Sequence, residues 1–201
     1  MKVPEPKKVT PKKTFASELF EWLEVMVTAL VIVVMVFILI FRVATIEGTS
    51  MCNTLFHGQR VLISNLGYTP SFGDIVVISR NPTNSVMDAD KSAEPIIKRV
   101  IAVAGQTVDI RNGSVYVDGK RLQEDYVTSE TELRENSSVE FPLTIPDGYI
   151  FVLGDNRFVS LDSRSSAIGE NGLIRTDSVL GRAFFRVFPL DAFGKIGKGK
   201  S

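Results

Sequence analysis

Cysteine and histidine are nearly missing from the 201 residues: the chain has one of each, Cys52 and His57. One cysteine forms no intrachain disulfide, and the Cys/His spacing of a structural zinc site is absent, so the fold must hold by burial. The redox compartment is left open by the cysteine count. Net charge is missing as well, since 23 basic and 23 acidic residues cancel. They are mixed through most of the chain, which excludes a basic field of the kind that binds nucleic acid. With 201 residues, 44% of them hydrophobic, there is material for one main domain and a small appendage.

What is present is a long apolar run, "WLEVMVTALVIVVMVFILIF", from Trp22 to Phe41, in which Glu24 is the only charge. That is about the 20 residues a helix needs to cross a hydrocarbon core. It exceeds the roughly 7 to 15 apolar residues of a cleaved signal peptide, and no clear small-x-small site closes it. A transmembrane helix over residues 18–43 is the expectation. Lys2, Lys7, Lys8, Lys12 and Lys13 precede it and Arg42 alone follows closely, so the positive-inside rule places the N-terminus in the cytoplasm. Residues 1–17, with three prolines among the lysines, read as a flexible cytoplasmic tail suited to anionic headgroups.

Residues 44–201 change character to short β-rich runs bounded by Gly, Pro, Asn or Asp: "QRVLISNL", "DIVVISR", "PIIKRVIAVAG", "TVDIRNGSVYVDG", "GYIFVLGD" and "SVLGRAFFRVF". A mainly β domain follows. Asn112-Gly113 suits a type I′ turn between two alternating strands. Two polar insertions, residues 81–95 and 129–142, read as exposed loops.

The stretch "IEGTSMCNTLFHG" crowds Ser50, Cys52 and His57 together. A serine triad needs an imidazole in hydrogen-bond reach, and His57 reaches Ser50 only through a tight local turn. A lone His beside a Gly also reads as a surface turn residue, and an isolated Cys as a small buried hydrophobe. A lysine can activate serine instead, if burial draws its ammonium from about 10.4 toward the working pH. In "PIIKRVIAVAG" a strand period sets Lys98 on the face of Ile96, Val100 and Ala102, an apolar row that favours the neutral amine. The same segment also fits an edge-strand lysine snorkelling to water. Arg99 stays protonated and cannot act as a base.

Four ordered segments resemble the boxes of type I signal peptidases. "GTSMCNTL" resembles the SMxPTL nucleophile box, "GDIVV" the next strand, "IIKRVIAVAG" the KRVIG-type lysine box and "GDNRFVSLDSR" the GDNRxxSxDSR box. "GRAFFRVFPL" fits the family ending. With the N-terminal anchor they span almost the whole chain in family order, on a single-span Gram-positive-like plan. The resemblance implies a signal-peptidase-like antiparallel β catalytic domain held at the cell membrane and facing outward. It further implies a serine endopeptidase that removes signal peptides from exported preproteins by a Ser/Lys dyad, with no cofactor and no metal. Preproteins, the lipid bilayer and the secretion translocon are the partners implied, and nucleic acid is not among them.

Carried over residue by residue, the resemblance makes Ser50 the nucleophile and Lys98 the general base. Ser160 would orient the lysine, Asp162 and Arg164 would brace the site, and Gly154, Asp155 and Asn156 would form the turn that aims Ser160. Asp162 and Arg164, two apart, can share a strand face, or form a solvated pair in a turn. Ile46, Met51, Leu55 and Ile97 match the walls of shallow pockets that select Ala-x-Ala; without the resemblance they read as core. From Arg42 to Ser50 is eight steps, which keeps the nucleophile within roughly 30 Å of the membrane.

Departures from the family pattern are few. Asn53 stands where the family has proline, and Ala102, Ala104 and Gln106 interrupt the usual GLPGD continuation. Gly48 replaces a hydroxyl that some members add to the backbone N–H of Ser50 as an oxyanion donor. Besides a general signal peptidase, the sequence admits one dedicated to pilin-like surface proteins, or a non-catalytic membrane-anchored assembly factor on the same fold. A self-cleaving repressor shares the architecture but would carry a DNA-binding helical domain, and residues 1–41 offer a tail and a span instead.

Overall fold

The structure, a computed structural model, describes residues 14–79, 94–133 and 138–198 and falls into two units that meet in the chain between Leu39 and Ile40. The lysine tail through Lys13 and nearly all of the first polar insertion lie outside the described residues.

The first unit is one helix, α1 (Phe15–Ile40). Its start is set by Thr14, whose carbonyl accepts from the backbone N–H of Glu18 at 3.1 Å and from the Ser17 hydroxyl at 2.8 Å. Glu18 in the first turn complements the positive end of the helix dipole. At 1.5 Å per residue its 26 residues extend about 39 Å, enough to cross a hydrocarbon core of about 30 Å. Valine, leucine, isoleucine and phenylalanine occur on every side, and none of its side chains is buried. The helix begins three residues before the expected span and stops before Phe41, because the next residues pair as a strand.

That strand is β1 (Arg42–Thr45), paired antiparallel with β2 (Arg60–Ser64), with Arg42 opposite Ile63 and Thr45 opposite Arg60. The remaining strands are β3 (Ile75–Ile78), β4 (Ile96–Val103), β5 (Thr107–Arg111), β6 (Ser114–Val117), β7 (Lys120–Arg121), β8 (Leu143–Thr144), β9 (Tyr149–Leu153), β10 (Ile174–Arg175), β11 (Val179–Phe188) and β12 (Gly194–Lys195). Among the described residues they make two antiparallel sheets. The larger runs β1-β2-β11-β3-β4-β9-β10, with β12 added on β11, and the smaller runs β7-β6-β5-β8. The mainly β reading therefore holds, and Asn112 and Gly113 join β5 to β6 with φ of 51° and 70°, the left-handed pair a type I′ turn requires.

The order places β4 between β3 and β9, so Lys98, opposite Val76, sits in the interior of a sheet. The edge-strand alternative is thereby excluded. From Ile97 to Ala102 every residue of β4 is buried. A core cluster of Ile46, Met51, Leu55, Val61, Ile75 and Ile97 lies against this part of the sheet.

The polar insertion at 129–142, expected to be an exposed loop, is partly internal. Thr131 is buried and accepts from Arg157, and the Glu132 carbonyl accepts from Arg164. These backbone and hydroxyl oxygens supply the acceptors that two buried guanidinium groups require.

Candidate active site

Residues 46–59 form a loop closed at its base, where the Ile46 N–H donates to the Gln59 carbonyl at 2.8 Å and the Gly58 N–H to the Ile46 carbonyl at 2.9 Å. Inside it the chain coils tightly: the N–H of Cys52 donates to the carbonyl of Thr49, and those of Thr54 and Leu55 to that of Met51. Met51 and Leu55 enter the core, each contributing roughly 1.5–3 kcal/mol relative to exposure. This burial fixes the coil that displays Ser50.

Lys98 reaches that coil from β4. It is 4% exposed, and its Nζ lies 2.8 Å from Ser50 Oγ and 3.0 Å from the Ile97 carbonyl. His57 is occupied elsewhere: its Nδ1 accepts from the backbone N–H of Gly48 at 3.2 Å, closing the exposed side of the loop. Gly48 has φ of 79°, a conformation that suits glycine. Cys52 is half-buried and free.

The segment 154–164 packs on the other side of the coil. The Asn156 backbone N–H donates to the Ser50 carbonyl at 3.0 Å and its Nδ2 to the Thr49 carbonyl at 3.3 Å. Gly154 is forced by space, since a Cβ there would lie 2.2 Å from Ser160 Oγ and 2.6 Å from the Ser50 carbonyl oxygen. The fully buried Ser160 donates its backbone N–H to the Asn156 carbonyl at 3.1 Å.

Asp162 and Arg164 match the turn of one sequence reading but neither its solvation nor the strand of the other. They lie in irregular chain rather than on a strand, and both are buried rather than solvated. Arg164 Nε donates to Asp162 Oδ1 at 2.8 Å and Nη2 to Oδ2 at 3.0 Å, the fork geometry that suits arginine. Arg164 Nη2 also donates to the Arg157 carbonyl at 2.7 Å, while Asp162 Oδ2 accepts from the Gly154 N–H at 3.1 Å. Such a pair is satisfied because each remaining donor finds a backbone oxygen.

Two further buried pairs escaped sequence reasoning. Arg99 holds Asp155 through Nε and Nη2 at 2.8 and 2.7 Å, and Thr54 Oγ1 donates to the same carboxylate at 2.5 Å. The Arg99 guanidinium also lies 3.9 Å from the centre of the Tyr126 ring, a cation–π contact. Arg157 pairs with Glu124, which in turn accepts from the Tyr126 hydroxyl at 2.8 Å. Burial, and then the charge of Glu124, push the Tyr126 phenol well above its ordinary range, so it remains a neutral donor. The signal available was Arg99 in an apolar strand, where a permanent cation demands a buried carboxylate.

A groove of roughly 780 Å³ runs past the Ser50–Lys98 contact and is lined in part by Ile46, Gly48, Ile97 and Leu180. Ile46 and Ile97 thus both pack in the core and face the groove. Met51 and Leu55 are core residues and do not line it. Among the described residues no cluster of metal-ligating side chains occurs.

At Asn53 the backbone has φ of 91°, and Nδ2 donates to the Tyr126 carbonyl at 3.3 Å and to Thr128 Oγ1 at 3.2 Å. Proline, locked near −65°, cannot occupy this conformation. Restoring the family residue, Asn53→Pro, is therefore expected to lower unfolding stability by more than about 1 kcal/mol and to reduce cleavage, whereas Asn53→Gly keeps the turn. Denaturant titration and initial rates check this; equal stability and rate in Asn53→Pro would refute the geometric argument.

Comparison with known proteins places this chain in a family. The family described as signal peptidase, peptidase S26, matches residues 19–188. The chain is 33% identical over 196 residues to signal peptidase I of Bacillus licheniformis, covering 94% of this chain and 97% of that one. It is 34% identical over 193 residues to signal peptidase IB of Staphylococcus aureus, covering 88% and 93%. A crystal structure of a signal peptidase I from Enterococcus faecalis is 30% identical and covers 57% of this chain and 97% of that one, with a TM-score of 0.43. By the extent of these matches, the chain belongs to the signal peptidase family, peptidase S26, as a serine peptidase of the signal peptidase I type.

Proposed function

We propose that Ser50 and Lys98 carry out the removal of signal peptides, Ser50 as nucleophile and Lys98 as general base. The observation that supports this most is the 2.8 Å contact between Ser50 Oγ and the Nζ of a lysine that is 4% exposed. Burial disfavours the ammonium, and only the neutral amine has a lone pair to accept a proton. Nζ takes the Ser50 hydroxyl proton as Oγ attacks the scissile carbonyl, and the developing oxyanion is met by the backbone N–H of Ser50. Collapse breaks the C–N bond, and the proton on Nζ passes to the leaving amine. Neutral Lys98 Nζ then draws a proton from water as the water oxygen attacks the acyl carbonyl, and returns it to Ser50 Oγ as the ester C–O bond breaks.

Ser160 in this reading orients Lys98, and Asp162 and Arg164 hold the segment that carries Ser160. The groove receives the residues before the cut, Ile46 and Ile97 leaving room for small side chains, with Met51 and Leu55 supporting from the core. The apolar helix α1 spans the membrane once with its N-terminus cytoplasmic, so the β unit acts on exported preproteins at the outer face.

The test is cleavage of a preprotein bearing an Ala-x-Ala site by detergent-solubilised full-length chain. Wild type cuts at that site and Ser50→Ala leaves the preprotein intact. Unchanged cutting by Ser50→Ala would refute the assignment, and absence of cutting by wild type would favour the assembly-factor reading.

A further inference from the structure

The last box contains three positions that the family pattern leaves open, and here all three are apolar: Phe158, Val159 and Leu161. They are 80%, 49% and 45% exposed, while Ser160 between them is fully buried. Single exposed apolar residues need no explanation, but three on one loop beside a nucleophile are a concentrated patch. The loop is also rigidly held. Arg157 Nε donates to the Gly154 carbonyl at 3.0 Å, and Arg164 Nη2 to the carbonyls of Arg157 and Ser160 at 2.7 and 3.4 Å. The patch is therefore displayed by a fixed backbone and is not the by-product of a loose tip.

Its place relative to Ser50 follows from the hydrogen bonds. The same segment touches the coil at the carbonyls of Thr49 and Ser50 through Asn156. The groove lies along residues 42–48 and 94–98, and none of residues 154–161 lines it. A polypeptide crossing Ser50 with its residues before the cut in the groove must leave on another side, where this loop borders the coil. We infer that Phe158, Val159 and Leu161 receive the first residues after the cut and favour apolar side chains there. This rests on the assignment of Ser50 and of the groove to the residues before the cut. The loop and the groove both adjoin the coil that carries Ser50, which favours a substrate over a separate partner as the occupant of the patch.

Two synthetic preprotein peptides, identical through Ala-x-Ala and carrying Val-Leu or Ser-Ser directly after it, test the inference with the detergent-solubilised full-length chain. Wild type is expected to show a kcat/KM ratio of about three- to tenfold in favour of Val-Leu. In Phe158→Ser/Leu161→Ser the ratio falls toward one, and in Phe158→Leu, which stays apolar, the preference persists. Both peptides are read on the same enzyme, so partial loss of folded protein scales both rates and leaves the ratio intact. A ratio near one in wild type, or an unchanged preference in the double variant, overturns the inference. An unchanged preference with weakened binding to phosphatidylglycerol vesicles would assign the patch to the bilayer instead. Cleavage of either peptide by Ser50→Ala would strike at the proposed function and not at this inference.

Discussion

Lys98→Met is expected to abolish signal peptide cleavage, lowering kcat by on the order of 10³–10⁴ or more while the chain remains folded. Methionine keeps an unbranched side chain of similar length and removes only the amine, so the interior of β4 loses one polar atom and little packing. Lys98→Arg should be as inactive, because a guanidinium has no lone pair to accept the Ser50 proton at any working pH. The wild-type rate should climb as pH rises, since in the proposed mechanism the competent form is the deprotonated amine and its fraction grows toward alkaline pH. It should level once Lys98 is fully neutral. A rate for Lys98→Met within tenfold of wild type, or a flat profile from neutral to alkaline pH, would remove the lysine from the mechanism.

The second large effect concerns Arg164. Arg164→Met strips the buried Asp162 carboxylate of its counter-charge and takes the guanidinium donor from the carbonyls of Glu132, Arg157 and Ser160. An uncompensated buried charge of this kind costs about 3–5 kcal/mol, a large part of a domain's stability. Adding Asp162→Leu removes the orphaned charge and should recover part of the loss, the remainder reflecting the three carbonyls and the Gly154 N–H that donates to Asp162. Urea denaturation of the single and double variants measures both. If Arg164→Met lost less than about 1 kcal/mol, the pair would behave like a solvated surface bridge despite its burial.

Much of the β unit could be read in advance because its strands announce themselves by short β-branched runs between turn residues. Asn112-Gly113 was legible for the same reason, since the turn chemistry is local. β1 was not, because Arg42–Thr45 follows directly on the apolar run ending at Phe41, with no turn residue between, and only pairing with β2 marks it as a strand. Periodicity made Lys98 a candidate by setting it on an apolar row, but Ser50 is 48 residues distant in the chain and only the ordered boxes paired the two. Periodicity left open whether β4 was an edge, and the neighbours β3 and β9 decided it. The partners of Arg99 and Arg157 lie 56 and 33 residues away, and local pattern carries no information at that range. At Asn53 the absence of proline was visible, but the left-handed backbone was not.

The adjacent residues Lys98 and Arg99 fasten the coil that carries Ser50 at two points, Lys98 at Ser50 and Arg99, with Asp155, at Thr54. The coil hangs from two consecutive rungs of an interior strand. It does not open piecemeal at low cost, because Met51 and Leu55 anchor it in the core beside the sheet and must be exposed with it. On heating, peptidase activity and the sheet should therefore disappear together, with no temperature interval in which a folded domain carries a melted Ser50 coil.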